Sequence, residues 1–153
     1  MKSALLPAAV AAALALVTLP ALAHDDAYLD KQKAPNGGQL RMAGPLHYEL
    51  VTEKGALASK ASAIVVYVTD HAGATIATKG ATGGATILAG KTRSTAALVP
   101  DGESRMRGTA RYALAQDTKI VVSITLPGAG PEQARFTPGV VTSGAHADPQ
   151  QRR

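Results

Sequence analysis

The segment "SAIVVYVTD", residues 62–70, has the strongest strand pattern in the chain. It is rich in Val, Ile, Tyr and Thr, which pleated sheets favour, and it ends at an Asp that begins a glycine-containing turn. Apolar side chains occupy both of its faces, as in strands that are covered on both sides. We therefore predict that this segment is a central strand of a β-sheet.

Three further segments alternate between apolar and polar residues, as strands with one buried face do. In "LHYELVT" (46–52), His47 and Glu49 share the polar face, opposite Leu and Tyr side chains. The other two segments are "SRMRGTARY" (104–112) and "KIVVSITL" (119–126). The spacing predicts that each of the three buries one face against a common core.

Short strand-like segments recur roughly every ten residues and are separated by Gly, Pro, Asp or Asn, and no long segment has helical spacing. Weaker strand patterns lie near 39–43, 74–78, 85–89, 93–99 and 132–137. The expected large core residues are Tyr48, Tyr67, Tyr112 and Phe136. We predict an all-β fold, a single small antiparallel β-sandwich of the immunoglobulin-like kind with about seven to nine short strands, over residues 36–138.

The two ends of the chain have different compositions from this region. Residues 1–23 combine Lys2, an apolar run and Ala21-Leu22-Ala23, which predicts a secretory signal peptide cleaved after Ala23 and export to the periplasm. No other segment is long and apolar enough to span a membrane. The polar residues 24–35 predict a mobile arm without a buried face, and residues 139–153 predict a disordered tail.

The composition restricts the chemistry. The chain has no cysteine, which excludes disulfides and thiolate metal ligands. Its 16 basic and 11 acidic residues give a net charge of +5, a weak preference for acidic partners. With no Trp, one Phe and no recognition motif, nucleic acid is not an expected partner. The chain also lacks a GxSxG motif, a phosphate-binding loop and a pair of catalytic carboxylates, so we predict no enzymatic activity.

Cleavage after Ala23 would make His24 the first residue of the mature protein. A terminal histidine offers its free α-amine and an imidazole nitrogen to one ion, and imidazole suits Cu(II), Ni(II) and Zn(II). The alternative is that the residue after the cleavage site is merely polar and has no role in binding. The sequence predicts His24 as a metal ligand, with that alternative open.

Two other histidines are candidate metal ligands. His47 shares a strand face with Glu49, a workable spacing for an imidazole and carboxylate pair, although an exposed strand residue without special chemistry is the alternative. His71 follows Asp70 in "TDHAGA", where the Asp alone could explain the turn by local hydrogen bonds. No HxxxH or HExxH spacing accompanies either histidine.

The remaining candidate binding residues each have a structural explanation as an alternative. His146 belongs to the tail and is interpreted as a solvated residue. Met42 and Met106 could be soft ligands for Cu(I), but methionine more often fills a core. Arg105, Arg107 and Arg111 form a stripe able to meet carboxylates or phosphates, or simply a solvated strand face that protects a sheet edge.

Five segments of the chain carry a resemblance to known proteins: "APNGGQLRMAGPLHYELV" (34–51), "VYVTDHAGATIAT" (66–78), "ATILAGKT" (85–92), "LVPDGESRMRG" (98–108) and "VVSITLPGAGPEQARF" (121–136). Over these segments the chain resembles a group of small exported proteins of Gram-negative bacteria that are associated with heavy-metal efflux systems. The pattern is also similar to the leading region of periplasmic adaptor subunits of metal-efflux pumps. The resemblance favours His47 and His71, whereas the residue before the paired glycines, often histidine in that pattern, is Asn36 here.

An exported start at His24 is also similar to the small copper-carrying β-sandwich proteins of periplasmic copper resistance. Together these features predict a periplasmic protein that binds or buffers a transition metal through His24, His47 and His71 and passes it to a metal-efflux component. Copper, as Cu(II), is the first candidate, and Zn(II) or Ni(II) the alternatives. A metal-free structural or interaction module of the cell envelope is the second hypothesis, and a copper oxidase the third.

Overall fold

Eight antiparallel strands and one helical turn form the regular structure of residues 26–139, the part of the chain that the computed structural model describes. The elements are α1 (Asp26–Leu29), β1 (Gln39–Ala43), β2 (Leu46–Thr52), β3 (Ala61–Asp70), β4 (Thr82–Ala89), β5 (Thr92–Pro100), β6 (Arg105–Arg111), β7 (Lys119–Thr125) and β8 (Pro131–Phe136). Within these residues, no helix has the length and apolar character that a membrane crossing requires.

The central position predicted for residues 62–70 is confirmed, because β3 pairs with β2 on one side and with β6 on the other. Ile64, Val66 and Val68 alternate along one face of β3 and are fully buried in the core. Val65 and Tyr67 on the opposite face are half-buried. The apolar residues on both faces thus reflect a strand that is covered fully on one side and partly on the other.

The strands follow one another in the order β1-β2-β3-β6-β5-β4-β7-β8. Consecutive hairpins join β4, β5 and β6, while β3 lies beside β6 and β7 lies beside β4, which is a Greek-key arrangement. The first and last strands approach each other, and the backbone N–H of Thr137 donates a 2.9 Å hydrogen bond to the side-chain oxygen of Gln39. The sheet is therefore nearly closed.

The predicted all-β class and the range of strand number are confirmed. The single, nearly closed sheet is barrel-like, however, and it does not clearly divide into the two sheets of an immunoglobulin-like sandwich. Two structural features explain the difference. A short pairing of Val99 with Arg107 and of Pro100 with Met106 joins β5 to β6, and β1 lies close to β8.

The strand expected at 74–78 is replaced by a loop with a single bridge between Thr75 and Thr69. Thr78 is fully buried and its hydroxyl contacts the carbonyl oxygens of Glu103 and Arg105, at 3.4 and 3.0 Å. This segment connects β3 to β4 and must pass the ends of the two strands between them. Thr78 therefore forms hydrogen bonds at the start of β6 and in the loop before it, and the segment does not pair along its length with a neighbouring strand.

The core lies inside the curved sheet and consists mainly of Val, Ile, Leu and Ala. Tyr48, Tyr112 and Phe136 are its largest buried members, as predicted. Tyr67 is an exception, because its position in β3 turns its side chain to the outer face, where it is half-buried. Because successive side chains of a strand point to opposite faces, Tyr67 lies outside the core, between the buried Val66 and Val68, and its predicted core position is wrong.

The N-terminal segment differs from its prediction. Residues 24–35 were expected to lack a buried face, yet Leu29 at the end of α1 is only 4% exposed, so this expectation is wrong at that residue. Its physical reason is that α1 packs against β1 and buries one apolar side chain among polar ones. The proposed signal peptide, its cleavage site, His24 and the tail from residue 140 lie outside the described residues.

The Tyr48 side chain generates a prediction for alkaline stability. Its hydroxyl is buried and has no hydrogen-bond partner among the described residues, and burial, with a contribution from the Glu132 charge, raises the pKa of Tyr48 to about 12. Because Tyr48 in the unfolded chain would ionise near the ordinary tyrosine pKa of 10.0, folding stability is retained below that pH and lost as the pH rises towards 12. Tyr48→Phe should remove this loss.

Urea denaturation at pH 8 and pH 11 would measure how much folding stability each protein loses as the pH rises. We expect the wild type to lose about 1.4 kcal/mol more than Tyr48→Phe between these two pH values, while the variant stays within about 1 kcal/mol of the wild type at pH 8. Burial also raises the pKa of Tyr112, but that contribution is common to both proteins. Equal losses in the two proteins would contradict the assignment to Tyr48.

Candidate functional site

His47 and His71 lie side by side on the outer face of the sheet. Their ring centroids are 4.7 Å apart and the ring planes differ by 21°, so the two imidazoles are stacked. The pairing of β2 with β3 places His47 opposite Thr69, and His71 comes two residues later on the same side of the chain. Two histidines that the sequence offered separately therefore form one pair.

The turn after β3 holds His71 at this position. Asp70 Oδ1 accepts hydrogen bonds from the backbone N–H groups of Ala72 and Ala74, at 2.9 and 2.8 Å. Gly73 has a φ of +83°, a conformation that favours glycine, and it completes the turn. The predicted capping role of Asp70 is thus confirmed, and it coexists with the contact between the two imidazoles.

A cleft of about 610 Å³ lies next to the histidine pair, between the outer face of β2 and β3 and the N-terminal segment that crosses it. Its size is within the range of small-ligand sites, roughly 300–1,000 Å³. Tyr28, Leu29 and Leu40 form an apolar side of the cleft. The polar side is formed by His47, Glu49, Tyr67, Thr69 and His71.

Glu49 holds one end of the N-terminal segment in place. Its carboxylate is buried, and Oε1 accepts hydrogen bonds from the backbone N–H groups of Asn36 and Gly38, at 2.8 and 2.9 Å. Oε2 accepts a third from the Asn36 side-chain amide at 2.8 Å. Both oxygens therefore have a structural role, because they attach the N-terminal segment to β2.

Arg41 holds the other end of the segment. Its side chain is 7% exposed, its Nη1 lies 2.7 Å from Asp30 Oδ1, and its Nε lies 3.5 Å from Asp26 Oδ1. A buried guanidinium needs such partners because an unpaired buried charge is strongly destabilising. The two anchors, Arg41 and Glu49, thereby fix the segment 26–38 across the sheet and form the outer wall of the cleft.

The other sequence candidates have separate environments. Met106 is fully buried in the core, as a core-filling methionine would be, whereas Met42 is half-buried on β1 opposite His47. Among residues 26–139, no group of three or more His, Cys, Asp or Glu side chains is arranged to hold a metal ion. His24 and His146 lie outside that range.

The three arginines of β6 are not equivalent. Arg105 Nε lies 3.1 Å from Asp101 Oδ2, and a hydrogen bond with Tyr67 together with the Asp101 charge raises the pKa of its guanidinium. Arg107 and Arg111 are exposed, and neither forms an ion pair with the described residues. The predicted basic stripe is therefore available to solvent at two of its three positions.

Several residues of the cleft were not anticipated from the sequence. Tyr28 and Leu29 stand in a polar segment, and their adjacent apolar side chains are the signal that could have indicated an attached segment. Tyr67 was assigned to the core because its strand is apolar on both faces. The anchoring role of Glu49 has no local signal, since its partners are 11 and 13 residues away.

The anchor at Glu49 generates the next prediction. In Glu49→Gln, an amide NH₂ group must face some of the three donors that now meet carboxylate oxygens, leaving buried groups unsatisfied. We expect a loss of about 1–3 kcal/mol in the free energy of unfolding, with faster amide hydrogen exchange at Asn36 and Gly38.

Glu53→Gln is the matched control, because the Glu53 side chain is 43% exposed and only pairs with Lys60 at 3.6 Å. This substitution should change stability by less than about 1 kcal/mol. Urea denaturation and exchange measured by NMR would compare the two variants. Equal stability of both variants, with no change in exchange at Asn36, would contradict the anchoring role.

No protein-family model, curated protein or solved structure matches this chain. The association with metal-efflux adaptors, suggested by the sequence patterns, consequently stays a prediction. The function proposed below depends on the geometry of the cleft and of the histidine pair.

Proposed function

We propose that the protein is an exported, periplasmic transition-metal-binding protein, with copper as its first candidate ion and Zn(II) or Ni(II) as alternatives. The observation that supports this proposal is the contact between the His47 and His71 rings beside the cleft. Neutral imidazole is the commonest protein ligand for these ions. Two imidazoles at one point of a cleft are the minimum that a chelating site requires.

The stacked geometry is compatible with capture of one ion. Both side chains project from the same face, one from a strand and the other from a turn that Asp70 braces, so their backbones are held in place. Rotation about the side-chain bonds can then direct a nitrogen of each ring to a shared ion, at bond lengths of about 2.0–2.1 Å for zinc. Protonation of the imidazoles at lower pH would release it.

His24 is the third proposed ligand, as the terminal residue after signal cleavage. Asp26, the first described residue, contacts Arg41 and borders a small cavity with Met42. His24 itself lies outside the described residues, so its proposed role depends on the sequence alone.

The proposal is passive metal handling: the site buffers the ion and an efflux component of the periplasm accepts it. Such a carrier needs an accessible site, and His71 is exposed at a turn on the surface. The chemistry of the transfer would be exchange of imidazole ligands between the two proteins, with no change in the protein's covalent structure. No catalytic step is part of this proposal.

A titration tests the metal site directly. Protein exported with its own signal, with the new terminus verified by intact mass, would be titrated by calorimetry with Cu(II), Zn(II) and Ni(II). We expect one-to-one binding of at least one ion, weakened about ten-fold or more in His47→Ala and in His71→Ala, a loss of about 1.4 kcal/mol or more. His146→Ala is the matched control and should bind as the wild type does.

Two outcomes would contradict the proposal: absence of binding in the wild type, or affinities that both histidine substitutions leave unchanged. Thermal denaturation of each variant separates loss of a ligand from loss of the fold. An added glycine before His24 tests the terminal ligand separately. It should weaken Cu(II) binding if the α-amine of His24 is a ligand, and should have no effect if it is not.

A second candidate function, a metal-independent interaction module of the envelope, is favoured by the β6 surface. Arg107 pairs in the sheet with Val99, whose side chain is 59% exposed, and Arg111 is exposed further along the same strand. An exposed apolar residue beside one guanidinium group, with a second on the same strand and neither in an ion pair with the described residues, is a combination that interfaces with acidic proteins use. This surface lies on different strands from the histidine pair.

The double substitution Arg107→Glu/Arg111→Glu distinguishes the two functions. If the β6 surface is an interface, a periplasmic protein that co-purifies with the wild type should be lost from the double variant, because like charges replace complementary ones, and retained by His47→Ala/His71→Ala. Lys54→Glu/Lys60→Glu is the charge-matched control. Retention of the same partner by all three double variants would rule out the β6 surface as its binding site.

A further inference from the structure

Met42 lies next to the histidine pair. The pairing of β1 with β2 places Met42 directly opposite His47, and residues so paired project from the same face with Cβ atoms about 4.5–5.5 Å apart. The pairing of β2 with β3 continues the row from His47 to Thr69 and hence to His71. The Met42 thioether on β1, the His47 imidazole on β2 and the His71 imidazole in the turn after β3 therefore occupy neighbouring positions.

Core packing does not account for Met42. Met106 is fully buried within the core cluster, whereas Met42 is half-buried and belongs neither to that cluster nor to the apolar residues packed against it. The Met42 side chain instead borders a small cavity together with Asp26, Arg41 and residues of β8. A thioether at this position is thus accessible to a ligand.

The carboxylates near the histidine pair already have protein partners. Both oxygens of Glu49 accept hydrogen bonds from the N-terminal segment. Asp26 and Asp30 contact Arg41, and Asp70 Oδ1 accepts two backbone hydrogen bonds. Met42 and the two histidines would offer an ion sulfur and nitrogen atoms, a set that suits soft cations and does not suit Mg²⁺ or Ca²⁺.

From this arrangement we infer that Met42 is a further ligand and that, with His47 and His71, it makes the site selective for a soft monovalent ion, Cu(I) or its redox-inert analogue Ag(I). The inference rests on the proposed metal-binding function and narrows its substrate. A thioether adds affinity for Cu(I), a soft ion that accepts sulfur ligands, and adds little for Zn(II), which takes thiolate, imidazole and carboxylate.

The test uses the full chain from residue 24, in which Met42 and Met106 are the only methionines. Protein labelled with ¹³C at the methionine methyl groups would be titrated with Ag(I) and followed by NMR. We expect the Met42 methyl signal to shift and saturate at one equivalent. The Met106 signal, from a methyl group enclosed in the core, should remain in place and is the internal control.

Affinities measured in parallel define the selectivity. Cu(I) would be supplied with ascorbate under anaerobic conditions and its affinity measured by competition with a chromogenic chelator, while Zn(II) is measured by calorimetry. Met42→Leu conserves the apolar volume. It should lower Cu(I) affinity about ten-fold or more, equivalent to about 1.4 kcal/mol, and leave Zn(II) affinity within about two-fold.

The outcomes separate this inference from the function on which it rests. Histidine-dependent binding of Cu(II) or Zn(II) in the wild type, with Cu(I) affinity unchanged in Met42→Leu and no shift of the Met42 methyl signal, would overturn the inference alone. Absence of all metal binding in the wild type would overturn both. An equal loss of Cu(I) and Zn(II) affinity in Met42→Leu would overturn the selectivity and assign Met42 a positioning role.

Discussion

The register between β2 and β3 is the constraint on which both the core and the cleft depend. It aligns Tyr48 with Val68 and Leu50 with Val66 on the inner face, and His47 with Thr69 on the outer face. A slip of one residue would turn every side chain of β2 to the opposite face, moving two fully buried residues to the outer face and an imidazole and a carboxylate into the apolar core. The hydrophobic effect that selects the core register therefore also determines where the histidine pair forms.

Two buried charged side chains attach the N-terminal segment to the sheet and so form the cleft. The outer face of a sheet would be open to solvent, but the buried Arg41 and Glu49 attach the segment 26–38 across it and so convert a flat surface into a cleft. Burial of these charges is costly unless each one is paired, and the segment supplies the carboxylates that meet Arg41 and the three donors that meet Glu49. The same requirement places both Glu49 oxygens in hydrogen bonds to the segment.

Most of the strands could be predicted from the sequence because their alternation is local. The bounds of β1 and β2 agree with the patterns at 39–43 and 46–52, and β7 agrees with 119–126 to within one residue. The prediction fails at 74–78, where a strand-like composition forms a connection between non-adjacent strands. It also fails at Leu29, since the packing of one apolar side chain in a polar segment leaves no periodic pattern.

By itself, the sequence determined the all-β class, the alternating core faces and the residue types able to bind a metal, because each follows from properties of a few neighbouring residues. The sequence did not determine the barrel-like closure, the contact between His47 and His71, or the place of Met42 beside them. Those depend on which strands pair and in what register, and that pairing is selected by burial of the whole core, to which residues distant along the chain contribute together.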